Sequence, residues 1–149
     1  MIVYRLSKEK YKNELSGKGA AFRGGRWNSQ NTEIVYTAEN RALAMAEVAV
    51  YAAVQTVPKG YWMLSIELPN RPPKINVKNL DAGWNQFPHL TFTKTVGDQL
   101  IKKNKQLALS VPSAVVEGEW NVLINPFHEL FKKVKIVNVV PFNFDRRLF

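Results

Sequence analysis

The chain has 149 residues, of which 46% are hydrophobic and 22% charged, and its formal net charge is +9 at pH 7. This length and composition are typical of one globular domain with its own core, and they exclude a disordered or fibrous chain. Cysteine is absent, which excludes disulfides, thiolate zinc sites and cysteine nucleophiles.

The first 38 residues predict two strands separated by a long loop. β-Branched and aromatic residues favour strands at 1–6 and 33–38. Between them, the glycine-rich and polar segment 16–32 predicts an ordered loop. The first residues lack the pattern of a secretory signal, and no apolar run is long enough to span a bilayer. We therefore expect a cytoplasmic protein without membrane contact.

The next segment predicts a helix from about Glu39 to Val54, with Thr37 as its N-cap. Within its apolar run stands a single carboxylate, Glu47. An ionised carboxylate in apolar surroundings is costly unless it is paired, hydrogen-bonded or facing a cavity. Two interpretations therefore stay open: a structural glutamate, either ion-paired with an arginine or on an exposed helix edge, and a carboxylate in a ligand-binding cleft.

The remainder of the chain predicts a sheet-rich half with one further helix, over 92–105. The stretch 70–91 is rich in turn-forming residues and predicts irregular structure with a short strand at 74–77. Longer strands are predicted at 61–69, 107–115, 121–126 and 134–144. This order favours an α+β fold over regular βαβ alternation, and the absence of a linker predicts a single domain over 1–149.

Two short motifs add candidates for a functional site. In "FRGGRWN" two glycines allow a ligand to approach the backbone, and Arg26 beside them has the fork that binds phosphate or carboxylate. In "SVPSAV" a proline fixes the backbone before Ser113. Taken alone, the first motif is typical of a surface turn and the second of a strand end, and no GxSxG pattern indicates a serine nucleophile.

The two histidines do not indicate a metal site. His89 and His128 are far apart and belong to no HExxH pattern, so we predict no bound metal. The charged residues at 145–147 are predicted to form a structural ion-pair cluster.

Together these segments resemble the RES domain, a family named after its arginine, glutamate and serine residues. The resemblance runs nearly end to end and rests on the order and spacing of its segments. They are "YRL" at 4–6, "GGRWN" at 24–28, "VYTAENRALAMAE" at 35–47, "MLSIELP" at 63–69, "GDQL" at 97–100, "VPSAVV" at 111–116, "NVLINP" at 121–126 and "FNFDRRL" at 142–148.

The resemblance implies an ADP-ribosyltransferase-like fold, with a mixed β-sheet core and flanking helices. It implies the toxin of a bacterial type II toxin–antitoxin system, which depletes NAD+ by cleaving the bond between nicotinamide and ribose. The ADP-ribose would pass to water, phosphate or a protein. NAD+ is then a substrate and no cofactor is expected. The implied partner is a helix-turn-helix antitoxin, through which alone the toxin would contact DNA.

The same resemblance implies roles for four catalytic residues. Arg26 would hold the diphosphate or ribose of NAD+, and Tyr36 would pack on the nicotinamide side. Glu47 would engage the ribose, and Ser113 would line the same pocket. A carboxylate there stabilises the positive charge that develops on the sugar as nicotinamide leaves. Three further residues of the matching segments are expected to bind substrate: Arg5, Trp27 and Asn125.

Two other functions stay open. The net charge of +9 favours an anionic partner, which is consistent with an RNA-binding or RNA-cleaving toxin. That hypothesis is weakened because the sequence has no helix-turn-helix pattern, no RNP-type aromatics and no histidine pair. A catalytically silent interaction domain is the third alternative. Release of nicotinamide from NAD+ by the free protein separates the three.

Overall fold

A six-stranded sheet and three α-helices make up the computed structural model, which describes residues 1–89 and 91–149. The strands are β1 (Ile2–Lys8), β2 (Val35–Ala38), β3 (Tyr61–Glu67), β4 (Ala108–Pro112), β5 (Trp120–Ile124) and β6 (Lys135–Phe142). The helices are α1 (Lys18–Arg23), α2 (Arg41–Ala49) and α3 (Lys94–Lys103), with single 3₁₀ segments at Glu9–Tyr11, Val77–Asn79, Glu129–Lys133 and Arg146–Leu148. Leu90, in the stretch predicted to be irregular, lies outside the described residues.

The strand order across the sheet is β4-β5-β2-β1-β3-β6, and each neighbouring pair is antiparallel. The predicted α+β class and single domain are confirmed. Within the described ranges, the parallel component of the predicted mixed sheet is limited to one bridge between Lys74 and Ser110, at the outer edge of β4.

The sheet opens between β1 and β2. β1 pairs with β3 along its whole length, from Ile2 with Glu67 to Lys8 with Tyr61. Its pairing with β2 consists of one register pair, Tyr4 with Ala38. The two strands are therefore joined at one point, and residues of both strands line a cavity there.

α2 is shorter than the predicted helix at both ends. It begins after Asn40, whose side-chain oxygen accepts a hydrogen bond from the amide of Leu43 at 2.8 Å and so caps the helix. Thr37, the predicted cap, lies in β2 and donates its hydroxyl to a backbone carbonyl of β5 at 2.8 Å. The helix ends at Ala49, before the predicted Val54, because i→i+3 turns replace the helical bonds there.

Two short elements also differ from the prediction. The segment predicted to be a loop contains α1, which ends at Gly24, a residue with φ of +73° whose amide bonds to the carbonyl of Ala20. The strand predicted at 74–77 is reduced to the bridge with Ser110. Both errors concern segments whose form depends on tertiary contacts rather than on their own composition.

The core consists of three groups of buried side chains, two of which hold the helices that build the site. α2 packs on the sheet through Leu43 and Ala44. α3 packs through Leu100 against Trp27, Ile34, Val111 and Leu123. Among the described residues, no helix combines the length and the apolar character that a membrane crossing requires.

Candidate active site

A cavity of about 400 Å³ lies where β1 and β2 diverge. This volume is within the range of small-molecule sites. Its walls come from α1, the glycine-rich segment after α1, β1, β2, α2 and the ends of the loop that joins β4 to β5. The lining residues with charged or polar side chains include Arg5, Arg26, Tyr36, Glu47 and Asn121.

Glu47 is half-buried in the α2 wall of this cavity, and its Oε1 accepts a hydrogen bond from the Ser113 hydroxyl at 3.0 Å. No lysine or arginine among residues 1–89 and 91–149 lies within ion-pair distance of its carboxylate. Burial raises the pKa of Glu47, and the hydrogen bond from Ser113, the nearby amide of Asn121 and the charge of Arg26 partly offset that rise. The structural interpretation as a buried ion pair is therefore wrong, and the carboxylate faces the cavity.

Ser113 orients this carboxylate. Its side-chain oxygen accepts hydrogen bonds from the amides of Val115 and Val116, both at 3.1 Å. Because a hydroxyl oxygen has two lone pairs, its proton remains for donation to Glu47. Ser113 is buried and does not itself line the cavity, so it acts on the site through Glu47. This geometry agrees with the absence of a serine-nucleophile motif.

The guanidinium of Arg26 lies at the cavity and also anchors a distant loop. Its Nη1 donates to the carbonyls of Trp84 at 2.7 Å and Gln86 at 2.9 Å. Burial lowers the pKa of Arg26, while nearby Glu47 raises it. The remaining N–H groups of the fork stay available for an anion in the cavity.

Tyr36 fixes the backbone of the glycine-rich segment. Its hydroxyl accepts from the amide of Trp27 at 3.1 Å and donates to the side-chain oxygen of Asn28. A Cβ at Gly25 would lie 2.9 Å from that hydroxyl, which explains the glycine there. Burial raises the pKa of Tyr36, so the phenol stays protonated at neutral pH. The phenol ring lines the cavity.

α3 holds the same segment from the other side. The hydroxyl of Thr93, just before α3, donates to the carbonyl of Arg26 at 2.6 Å. Asp98 accepts from the amide of Ser29 at 2.8 Å and from the Ser29 hydroxyl. The motif "GDQL" was part of the resemblance but had no assigned role. The structure shows that its Asp98 positions residues 24–29, which contain Arg26 and are called the arginine segment below.

Arg5 in β1 also lines the cavity. Its Nη1 is buried and makes no hydrogen bond to any residue in the described part of the chain. Burial lowers the pKa of Arg5, and the charge of Glu14 partly offsets this. An unpartnered buried guanidinium nitrogen is costly. The positive charge of Arg5 favours an anion in the cavity that this residue lines.

Trp27 lines the cavity with 3% of its surface exposed and lies against Trp84, with ring centroids 6.0 Å apart. Asn125 lies outside the cavity. Its amide donates to Asn104 at 2.7 Å and its oxygen accepts from the amide of Phe127 at 2.9 Å. The expected contact of Asn125 with substrate is therefore not supported, because these bonds use its side chain to close a turn after β5.

The residue that sequence reasoning missed in the same segment is Asn121. It is the second residue of β5 and lines the cavity, and its side-chain amide donates to the carbonyl of Thr37 at 3.4 Å. It also lies near Glu47 and favours the ionised form of that carboxylate. Its weak signal was its place four residues before Asn125 in "NVLINP". Which of the two asparagines reaches the cavity depends on which end of β5 lies next to α2. That contact joins residues far apart in the sequence, so no local pattern predicts it.

No three His, Asp or Glu side chains come together as a metal site in the described ranges. His128 Nδ1 accepts from the amide of Leu130 at 3.1 Å and caps a 3₁₀ segment. Burial lowers the pKa of His89, as do the charges of Lys94 and Arg26. At the C-terminal end, Arg147 and Asp145 form an exposed ion pair at 2.7 Å, as predicted, without Arg146.

The fold and the site together define a class: a small α+β protein whose open sheet brings an arginine and a serine-held glutamate to one cavity. The chain belongs to the RES domain family, whose model matches residues 2–145. This match confirms the resemblance found in the sequence.

Curated relatives agree with this assignment. The protein called Toxin Res from Photorhabdus laumondii is 34% identical over 151 residues, covering 99% of this chain and 97% of that protein. The Prs ADP-ribosylating toxin of Sphingobium sp. is 34% identical over 140 residues, covering 91% and 87%. In the M. tuberculosis MbcT–MbcA toxin–antitoxin complex, one chain superposes with a TM-score of 0.73 at 17% identity, covering 95% of this chain and 84% of that chain. The last likeness supports the fold.

Proposed function

We propose that this protein is the toxin of a toxin–antitoxin pair and that it cleaves NAD+ between nicotinamide and ribose. The observation that carries the proposal is the half-buried, unpaired carboxylate of Glu47, held by Ser113 in a cavity that Arg5 and Arg26 also line. The names of the relatives support a toxin that handles ADP-ribose. An antitoxin of the helix-turn-helix type and a cytoplasmic location belong to the same proposal.

In this mechanism the two arginines bind NAD+, and the Glu47 carboxylate promotes cleavage of the bond between nicotinamide and ribose. The free N–H groups of Arg26 bind the diphosphate of NAD+, and the positive charge of Arg5 in the same wall adds to the attraction. Nicotinamide is a cationic leaving group, so it departs with the C1′–N electron pair as a neutral molecule and needs no acid. The ribose becomes oxocarbenium-like, and the Glu47 carboxylate stabilises its positive charge.

The surroundings of Glu47 strengthen this effect. A charge acts more strongly in a half-buried, low-dielectric wall than in water. Ser113 fixes the carboxylate before substrate binds, so little reorganisation is required when the charge on the sugar develops. Burying the carboxylate of Glu47 raises its pKa and costs folding free energy. In return, the buried carboxylate stabilises the cationic transition state more strongly than an exposed one would.

The direct experiment uses purified protein without its antitoxin. NAD+ is added, and nicotinamide and the ADP-ribose products are separated by chromatography, with and without inorganic phosphate. Release of nicotinamide supports the proposal, and the second product identifies the acceptor. NAD+ that stays intact while the protein binds or cuts RNA favours the alternative toxin, and NAD+ that stays intact without RNA binding favours the silent interaction domain.

Arg26→Ala is expected to raise the KM for NAD+ by about 10- to 100-fold, because a charge-assisted bond to an anion is worth about 1.5–3 kcal/mol. Arg23→Ala, an exposed arginine at the end of α1, is the matched control and should leave KM unchanged. Steady-state kinetics on both variants tests this. An equal KM for the two variants would show that Arg26 anchors the loop 84–86 and does not bind the substrate.

Ser113→Ala is expected to move the acid limb of the kcat/KM profile to higher pH. The lost hydrogen bond favours the ionised form of Glu47, so its removal raises the pKa of Glu47 further and less carboxylate is present at a given pH. Ser110→Ala is the control, because Ser110 is a buried serine of β4, the strand that ends just before Ser113. A uniform loss of rate at every pH, with no displaced limb, contradicts this role for Ser113.

A further inference from the structure

A second cavity, of about 280 Å³, adjoins the first one. The two cavities share three lining residues: Glu47, Val48 and Tyr51. Glu47 therefore lies on the boundary between the two cavities. Tyr51 at this boundary is 74% exposed, so the boundary between the cavities reaches the protein surface.

The second cavity differs from the first in the chemistry of its walls. Most of its other lining residues are apolar or small, among them Ala52, Ala53 and Pro58. Among the described residues that line it, Lys8 is the one cation. Its ammonium donates to the carbonyl of Lys59 at 2.8 Å and lies 4.3 Å from the ring centre of Tyr61.

These contacts argue against an anion in the second cavity. A phosphate dianion needs desolvated cations or several free N–H donors. The one ammonium here is already engaged, whereas Arg5 and Arg26 lie in the first cavity. The volume is several times the roughly 30 Å³ share of a water molecule, so the space accepts a group of side-chain size.

We propose that the second cavity is the acceptor entrance: a neutral hydroxyl group larger than water reaches the ribose through it and takes the ADP-ribose in preference to inorganic phosphate. The inference rests on the proposed function and extends it, since it names the acceptor class. NAD+ occupies the first cavity, the acceptor occupies the second, and Glu47 lies between them.

The transfer step balances without a further reactant. The C1′–N bond breaks and its electron pair leaves with nicotinamide. The acceptor oxygen then forms the C1′–O bond, and its proton passes to the Glu47 carboxylate and from there to solvent. The raised pKa of Glu47 makes its carboxylate a better proton acceptor than an exposed glutamate.

The experiment narrows the entrance and measures the ratio of products. NAD+ is turned over in 1-propanol and water, and in a second arm with N-acetylserinamide as the model of a protein side chain. Ala53→Trp fills the second cavity, and Val54→Trp places the same ring at the next residue, which is 90% exposed and does not line the cavity. The ratio of ADP-ribosyl ether to ADP-ribose is independent of the overall rate, so a general loss of activity does not change it.

We expect Ala53→Trp to lower the ether-to-hydrolysis ratio by about tenfold or more, as misplacing a reactant does, with Val54→Trp unchanged. Three results overturn the inference: equal ratios in both variants, no ether from the wild-type protein, or ADP-ribose 1-phosphate as the main product when phosphate is present. Nicotinamide is measured in every arm. If the wild-type protein releases none, the proposed function itself fails, whereas nicotinamide with an unchanged ratio rejects the entrance alone.

Discussion

Glu47→Gln is expected to reduce nicotinamide release from NAD+ by about 100- to 1000-fold, the usual effect of removing one well-placed electrostatic group. Glutamine keeps the shape of the side chain and an oxygen that accepts the Ser113 hydroxyl. It removes the negative charge that stabilises the cationic sugar. Binding of NAD+ should change much less than turnover, because the charge on the ribose develops only as the bond breaks.

Protein stability distinguishes this effect from damage to the fold. Burial raises the pKa of Glu47 in the folded protein, so folding is favoured below the unfolded-state pKa and this stability is lost as pH rises through the folded-state value. Glutamine avoids that loss. The variant should therefore match the wild-type free energy of unfolding at pH 4 and equal or exceed it at pH 7, as measured by urea titration.

Glu117→Gln is the control for this prediction, because Glu117 is exposed in the loop between β4 and β5 and lines neither cavity. It should retain wild-type turnover. If Glu47→Gln also retains turnover, the carboxylate is not the catalytic group and the mechanism given above is wrong. A loss of turnover in a protein whose stability has also fallen at both pH values would point to a structural glutamate instead.

The strands were predictable because their signals are local. Runs such as "YWMLSIE" and "WNVLI" combine β-branched and aromatic residues and are bounded by turn residues, and each forms a strand. Helix boundaries were less predictable. Thr37 and Asn40 are both good caps, and the choice fell to Asn40 because pairing with β5 holds Thr37 in the sheet.

The site was predictable where the sequence itself is anomalous. Glu47 stands out because it is the one charged residue between Ala42 and Val54. Arg26 and Ser113 lie in segments that match the family. Asn121 and the second cavity have no such signal. They depend on which strands neighbour each other and on where β1 leaves β2, and these are contacts between residues far apart in the sequence.

Gly97 is the clearest example of a residue whose identity is fixed by a tertiary contact, because only glycine fits there. It lies inside α3, where alanine normally favours a helix by about 1 kcal/mol over glycine. Here a Cβ would lie 1.9 Å from the carbonyl oxygen of Trp27 and 2.6 Å from Cδ1 of Ile34. The oxygen belongs to the backbone of the arginine segment, so a flexible side chain cannot relieve the clash. α3 must move away from that segment or the fold must lose stability.

Gly97→Ala is therefore expected to lower the free energy of unfolding by about 1–3 kcal/mol or more, the range for overpacking a close contact. For a chain of this size that corresponds to a fall in Tm of about 2–4 °C per kcal/mol. Gly19→Ala in α1 is the matched control, since a Cβ there meets no atom within 4 Å, and it should leave Tm unchanged or raise it.

The same substitution also tests how the arginine is positioned. Because Thr93 and Asp98 on either side of Gly97 hold the backbone of Arg26 and Ser29, displacing α3 displaces the guanidinium of Arg26. Gly97→Ala should then raise the KM for NAD+ in the fraction that stays folded, in the direction expected for Arg26→Ala. A variant as stable as the wild type, with unchanged KM, would mean that α3 does not pack closely against the arginine segment.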